Sequence, residues 1–384
     1  MVLSICLAVF SLGLVYLGFL HPVKPFFFGE LAKAFLHGRL YLDIKATDLA
    51  TYQNKAYTPF GPLPGILLMP LVAIFGANIP LTTIGLPITL LSIPAFWILW
   101  KEIGIENYDK RIWLTTLTFL GTVYLSCLTV DSSYFLSHIL VVGCLAWALV
   151  FSLQGKMPLL VGFLVAAATL TRTPDVLAAI PLAFLLHKAT QNRFQWSLVF
   201  VGPVVSIALT GLYNYLRFNS FLESGYNLQQ LSYSLLRLYR SQGLFSIVHI
   251  PRNLYYFLIA PPLPSVGPDH YIAFLPHLYP SEWGMGLLFV SPWLLLGLSA
   301  KGQLAKVLAL GTLLLLGPLM LYYGIGWIQW GYRYGTDVLP FMAPLAALGM
   351  ERLNLYKWKF LLPLTLYCVF INLAGSLWLF ETIK

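Results

Sequence analysis

Charge is what this 384-residue chain has least of: Lys, Arg, Asp and Glu together make up 10% of it, while 59% is hydrophobic. A water-soluble globule needs a polar skin, and a mean hydropathy of +0.78 leaves no material for one. Strict alternation of polar and apolar residues is missing as well, which excludes the strands of a transmembrane β-barrel. The four cysteines, Cys6, Cys127, Cys144 and Cys368, lie in apolar stretches without paired or metal-like spacing, so they read as packing residues. There is no Walker-type glycine loop, no Gly-x-Ser-x-Gly elbow, no fixed-period repeat and no low-complexity tract. Acids are scarce, 14 against 23 Lys and Arg, for a net charge of +9. The cations fall in short loops beside apolar spans, where insertion polarity and anionic lipid account for them and nucleic acid does not.

What remains is an all-α, polytopic membrane protein. Membrane-length apolar runs lie near residues 2–20, 81–100, 112–130, 134–153, 158–171, 174–187, 195–216, 284–300, 304–324, 336–350 and 360–380. They give about eleven transmembrane helices in a single membrane domain over 1–384. The first span has no basic region before it and no small-residue cleavage site after it, so it is expected to be retained. Residues 64–75 are too short to cross comfortably and are bounded by Gly61-Pro62 and Gly76-Ala77-Asn78, which favours an interfacial helix in the first outer loop.

With the amino terminus in the cytoplasm, the inner loops hold Lys101, Lys110, Arg111, Lys156, Lys188, Arg193, Lys301, Lys306, Arg352, Lys357 and Lys359. The short outer turns hold only Arg172 and Arg333. That is the positive-inside pattern of a multi-pass protein of the plasma (inner) membrane. It turns outward the loop 21–80, the turn around Asp131 and the stretch 217–283. Within the last, Leu228, Leu231, Leu235 and Leu238 beside Arg237 and Arg240 have the spacing of an amphipathic helix resting on the membrane.

Four stretches carry a resemblance. Leu31-Ala32-Lys33-Ala34-Phe35-Leu36-His37-Gly38-Arg39-Leu40-Tyr41-Leu42 runs on to Tyr57-Thr58-Pro59-Phe60-Gly61-Pro62-Leu63-Pro64. Thr129-Val130-Asp131-Ser132-Ser133-Tyr134-Phe135 follows, then Ala168-Thr169-Leu170-Thr171-Arg172-Thr173-Pro174. The last is Trp330-Gly331-Tyr332-Arg333-Tyr334-Gly335-Thr336-Asp337-Val338-Leu339-Pro340. In their order and shared outward side they resemble the integral-membrane glycosyltransferases of the C-type fold, the superfamily of protein mannosyltransferases and aminoarabinose transferases, and most of all its uncharacterised bacterial members. Asn214-Tyr215-Leu216-Arg217-Phe218 with Glu223-Ser224-Gly225-Tyr226 extends the likeness almost end to end.

The resemblance implies transfer of a sugar, hexosyl or pentosyl, from a polyprenyl-phosphate donor to a lipid, glycan or protein acceptor on the non-cytoplasmic face. It also implies acids in the outer loops that activate the acceptor, and cations that hold the lipid phosphate. One departure matters: the acid usual shortly after helix one has no counterpart in His21-Pro22-Val23-Lys24-Pro25-Phe26. The catalytic base therefore stays open between Asp131, the first choice, Asp43 and Glu30.

Such chemistry needs an acceptor made nucleophilic by a carboxylate and a leaving anion that is neutralised. Asp131 sits between two apolar helices, where a carboxylate is costly unless it lines a cavity; a helix cap is its other reading. Asp43 is either near the lipid phosphate or paired with Arg39 or Lys45 on the surface. Glu30 could replace the missing acid or face solvent on its helix, and Asp48 is a further outward acid. Arg172 and Arg333 suit a phosphate by their planar fork, although Asp175 and Asp337 stand close enough in sequence to be simple ion-pair partners. Lys55 is a candidate third phosphate contact or a solvated lysine. Tyr134 and His138 share a helix face with Asp131, and Tyr332 and Tyr334 flank Arg333, so these four are expected to line the substrate cavity.

No cofactor is required; a divalent cation held by Asp43 and Asp131 is compatible with the sequence. The expected partners are the polyprenyl-phosphate sugar and membrane lipid, with no nucleic acid, and nothing encodes an oligomeric state. The rival readings are a surface-polysaccharide ligase or polymerase, and a secondary transporter or lipid flippase. The latter would need repeated halves and ionisable residues deep in its spans.

Overall fold

An apolar run of about 20 residues forms a helix about 30 Å long, the thickness of the hydrocarbon layer. The computed structural model describes residues 12–13, 15–16, 26–190, 194–264 and 278–383, and is mainly helical. The chain begins with α1 (Phe27–Leu36), the hairpin β1 (Ala50–Tyr52) and β2 (Lys55–Tyr57), and α2 (Leu63–Phe75). The bundle proper contains α3 (Thr82–Glu102), α4 (Tyr108–Leu120), α5 (Tyr124–Thr129), α6 (Ser133–Leu153), α7 (Pro158–Thr171), α8 (Ala179–Ala189) and α9 (Val201–Phe218). After it come α10 (Ser234–Ser241), α11 (Ile250–Leu258), the short pair β3 (Leu263–Pro264) and β4 (Leu278–Tyr279), and α12 (Leu287–Val290). The chain closes with α13 (Gln303–Leu321), α14 (Leu339–Arg352) and α15 (Trp358–Thr382).

Among the described residues, five segments are long and apolar enough to cross a bilayer: α3, α6, Gln195–Phe218, α13 and α15. The most enclosed of these is α6, with α3, α5, α7 and α8 packed around it. The protein is therefore a multi-pass helical membrane protein. The expected first span lies mostly outside the described residues, as do Cys6 and 21–25.

Several other spans are built differently from continuous helices. The one expected over 112–130 is broken at Gly121 into α4 and α5, and a Cβ there would press on Leu117 O and Cys368 Cβ. The runs at 174–187 and 336–350 open as 3-10 turns, Thr173–Ala178 and Arg333–Val338, which feed α8 and α14. That at 284–300 is α12 followed by the 3-10 turn Pro292–Ser299. Pro174 and Pro292 lie in the first turns of two of these segments, where a missing N–H costs least.

With 13 residues, α2 is about 20 Å long and too short to span. It lies against α1, where Gly65 lets the Leu31 side chain approach closely. The expected amphipathic helix is shorter than the leucine spacing suggested: Leu228 and Leu231 precede α10. They belong to a strand-like segment in which Asp48 N–H bonds to Gln230 O (2.8 Å), Gln230 N–H to Leu49 O (2.9 Å) and Thr51 N–H to Leu228 O (3.2 Å). The two long loops are thus one layer, stitched by backbone pairing.

The bundle has two unlike ends. At one, Lys110 binds Glu351, Gln154 binds Glu102 and Arg352 caps Ser299 O, so the loops of the cation-rich set lie together. At the other, the stitched loops meet the turns that carry Asp131, Arg172 and Arg333.

Candidate active site

Four helical segments start at this second end: α3 at Thr82, α6 at Ser133, and the 3-10 turns at Thr173 and Arg333 that lead into α8 and α14. Helix starts present unpaired N–H groups and a partial positive charge. Carboxylates and arginines gathered there sit in a field that favours an anionic ligand.

Asp131 answers the first of these starts. Its Oδ1 accepts bonds from both the backbone N and the hydroxyl of Thr82, each 2.7 Å. It therefore caps α3, a helix distant in sequence, while Ser132 caps α6. Burial raises the Asp131 carboxyl to about 6, with the Thr82 bonds opposing the rise.

Asp48 holds the opposite wall. It adopts a left-handed backbone (φ 68°), tolerated by Asp, and Gln229 Nε2 donates to its carbonyl at 3.0 Å. Its carboxylate accepts the Tyr134 hydroxyl at 2.8 Å. Burial lifts the Asp48 carboxyl above its usual range, and the Tyr134 bond and the Arg333 charge pull against that rise. The Tyr134 ring is held edge-on by Phe27 and Phe60, with centroids 5.8 and 5.5 Å away.

Arg333 is buried among aromatics. Its guanidinium carbon lies 5.9 Å from the Tyr134 ring, 5.3 Å from Phe135 and 5.2 Å from Tyr334. Nη1 donates to Gln329 Oε1 (3.0 Å) and Trp327 O (3.2 Å). Gln329 is itself fixed, donating to Trp283 O and Ile325 O.

Arg172 also stands over Tyr334, its guanidinium carbon 5.2 Å from the ring. Its Nε donates to Asp337 Oδ2 at 2.6 Å, and His138 Nδ1 meets Asp337 Oδ1 at 2.7 Å. Asp337 is thus not the partner of Arg333 that its i+4 spacing implied; it joins Arg172 to His138. Four buried side-chain atoms of this region have no partner among the described residues: Asp131 Oδ2, His138 Nε2, Asp175 Oδ2 and Arg333 Nε. Tyr332 and Tyr322 pack on Tyr334 and continue the aromatic wall.

Of the residues singled out in the sequence, the structure links Asp48, Tyr134, Arg333, Tyr334, Arg172, Asp337 and His138 through successive contacts, with Tyr332 behind them. Asp131 lies next to this chain of contacts, in the turn that starts α6. Three candidates lie elsewhere. Asp43 forms an exposed pair with Arg39 (2.7 Å), Lys55 is exposed with Nζ 4.6 Å over the Tyr41 ring, and Glu30 is half-buried in the first turn of α1. Asp43 and Asp131, the pair considered for a divalent ion, are held by Arg39 and Thr82 respectively. Gln229 and Gln329 escaped the sequence reading, since neutral amides in polar loops carry no signal of the carbonyls they will bind.

No protein-family model and no curated protein matches this chain. Among solved structures, ArnT from Cupriavidus metallidurans, determined bound to undecaprenyl phosphate, aligns with a TM-score of 0.53 and 11% identity. The alignment covers 94% of this chain and 62% of that one, so this chain spans about three-fifths of ArnT's length. The oligosaccharyltransferase AglB from Archaeoglobus fulgidus, in complex with an inhibitory peptide and a dolichol-phosphate, aligns at 0.47 and 12% identity over 97% of this chain and 56% of its own. That second likeness is too distant to add to the first. At such identity the shared property is architecture, and the chain has the C-type fold of the integral-membrane glycosyltransferases.

Proposed function

We propose that this protein transfers a sugar, hexosyl or pentosyl, from a polyprenyl-phosphate donor to an acceptor on the non-cytoplasmic face of the inner membrane. The observation that carries this reading is the joining of Asp48, Tyr134, Arg333, Tyr334, Arg172 and Asp337 into one network at the end of the bundle opposite the cation-rich loops. The C-type fold and the undecaprenyl phosphate bound by ArnT support the choice of donor.

In this reaction Arg172 binds the donor phosphate, because its Nε is held by Asp337 and neither Nη is hydrogen-bonded to a described residue. Arg333, with Nη1 already bound to two oxygens, contributes charge and fixes Tyr134 and Tyr334. Asp48 is the base. It is partly accessible, faces the same arginine and holds one bond from Tyr134, whereas Asp131 already serves α3 with Oδ1 and is almost fully enclosed. No metal is needed for these roles.

The test is direct. The purified full chain, mixed in detergent with undecaprenyl-phosphate-linked sugars and a range of acceptors, should release free undecaprenyl phosphate. Asp48→Asn and Arg172→Ala should each lose that release. A glycosyl bond left intact with every sugar and acceptor, while the protein binds or moves the lipid, would support a transporter instead.

A further inference from the structure

We infer that Asp337 and His138 form a positioning pair whose task is to set the direction of the Arg172 fork; this rests on the reading above that Arg172 receives a phosphate. With Arg172 the pair forms a triad drawn from three separate places in the chain: His138 on α6, Arg172 just ahead of the turn Thr173–Ala178, and Asp337 in the turn Arg333–Val338.

Geometry separates this arrangement from an ordinary buried ion pair. Arginine and carboxylate pair most strongly through two parallel bonds from a fork edge. Here a single bond is made, from Nε, and Asp337 spends its other oxygen on His138. A carboxylate only accepts, so Nδ1 of His138 carries the proton. With its second oxygen taken, Asp337 does not chelate the fork, and both Nη groups are left without a hydrogen bond to a described residue. The guanidinium carbon stands 5.2 Å over the Tyr334 ring, a further contact that favours this direction of the fork.

Position in the fold agrees. His138 and Asp337 are fully enclosed, at 0% and 2% side-chain exposure, while Arg172 retains 18%. The exposed part of the triad is therefore the arginine, and the enclosed part stands behind it. His138 and Asp337 touch no ligand in this scheme; they act through Arg172.

The experiment measures affinity of the purified full chain for undecaprenyl phosphate, with thermal unfolding recorded for each variant. Arg172→Ala should weaken binding strongly, leaving a residue carried by Arg333. Asp337→Asn should weaken it on the order of tenfold, as loss of an orienting group behind a ligand does. His138→Phe should act in the same direction, and His138→Gln, which keeps a donor toward Asp337, should restore most of the affinity. In an Arg172→Ala background neither Asp337→Asn nor His138→Phe should lower affinity further, because there is no fork left to aim.

Equal losses in both backgrounds would mean that the pair is merely structural, and the inference fails. If Asp337→Asn does not fold, His138→Phe against His138→Gln decides the same question. An unchanged affinity in Asp337→Asn and His138→Phe, with Arg172→Ala still weak, sinks only the positioning role. An Arg172→Ala protein that binds like wild type removes the phosphate contact itself, and the proposed function loses its donor site.

Discussion

Replacing Tyr134 by Phe deletes one oxygen and keeps the ring that Phe27 and Phe60 pack against, so the fold has little to lose. What disappears is the 2.8 Å bond to Asp48. A hydrogen bond to a charged group contributes about 1.5–3 kcal/mol, which on the acid limb, where the rate follows the ionised fraction of Asp48, is about 10- to 150-fold in rate. The pH profile carries the sharper signature. Burial raises the Asp48 carboxyl, and Tyr134 is the larger of the two influences lowering it again. Without that hydroxyl the carboxyl stays protonated to higher pH, so the acid limb of kcat/KM for undecaprenyl phosphate release should move upward. Tyr134→Phe and wild type would be compared from pH 4 to 9 with one undecaprenyl-phosphate sugar. An acid limb that stays in place, or a rate equal to wild type throughout, refutes Asp48 as the base.

Four further substitutions test other parts of the structure. Asp131 is raised from 3.8 to about 6 in the folded protein, so the fold binds a proton that the unfolded chain releases. That stabilising contribution is full below 3.8 and is lost as pH rises through about 6. Thermal unfolding should therefore show wild type losing stability across this window by about 2–3 kcal/mol relative to Asp131→Asn; parallel curves for the two proteins would contradict the raising of the Asp131 carboxyl by burial. Gly202→Ala should destabilise by about 1–3 kcal/mol, because its Cβ would meet the backbone of Gly162 and Phe163 where α9 crosses α7. Gly317→Ala, with no heavy atom within 4 Å of its Cβ, should be neutral in the same assay. Asp43→Asn should leave activity unchanged, since the exposed pair with Arg39 is screened by water; loss of activity would return Asp43 to the site.

How much of this was legible depends on the length scale of the signal. Apolar runs such as 81–100 and 134–153 are long-range composition, and they fold as α3 and α6 within a residue or two of their expected limits. The turns that carry Arg172 and Arg333 were legible as short, cation-poor connections between apolar runs. Pairing between segments was not. Asp337 lies four residues after Arg333, the spacing of a helical ion pair, yet the segment is a 3-10 turn with about three residues per turn. An i+4 pair no longer shares a face in that geometry, and Asp337 turns toward α6 and Arg172 instead. Asp48 was one acid among several in a polar loop, and what distinguishes it is the backbone pairing with Leu228–Gln230, some 180 residues onward. Leucine spacing at 228 and 231 suggested helix for the same reason that it failed: a strand segment joined to a helix can carry the same residues in a different geometry.

Charge balance is the last constraint on the proposed reaction. In the proposed reaction the donor is a phosphodiester with one negative charge, held by Arg172 with Arg333 as a second positive charge and Asp337 and Asp48 as counter-charges. During transfer the bond from sugar C1 to phosphate oxygen breaks, and the electron pair leaves with the phosphate. A new bond forms from C1 to the acceptor oxygen, whose proton passes to Asp48. The phosphate gains one negative charge as Asp48 loses one, so the enclosed site ends with the total it began with. Among side chains as buried as Asp337 and Arg333 that neutrality is worth far more than in water. It also requires that Asp337 keep its own charge, since a proton taken there would leave Arg172 unopposed before the donor arrives. A bond from His138 Nδ1 to one oxygen and from Arg172 Nε to the other stabilises Asp337 in the ionised form, and leaves Asp48 as the carboxylate free to take the acceptor's proton.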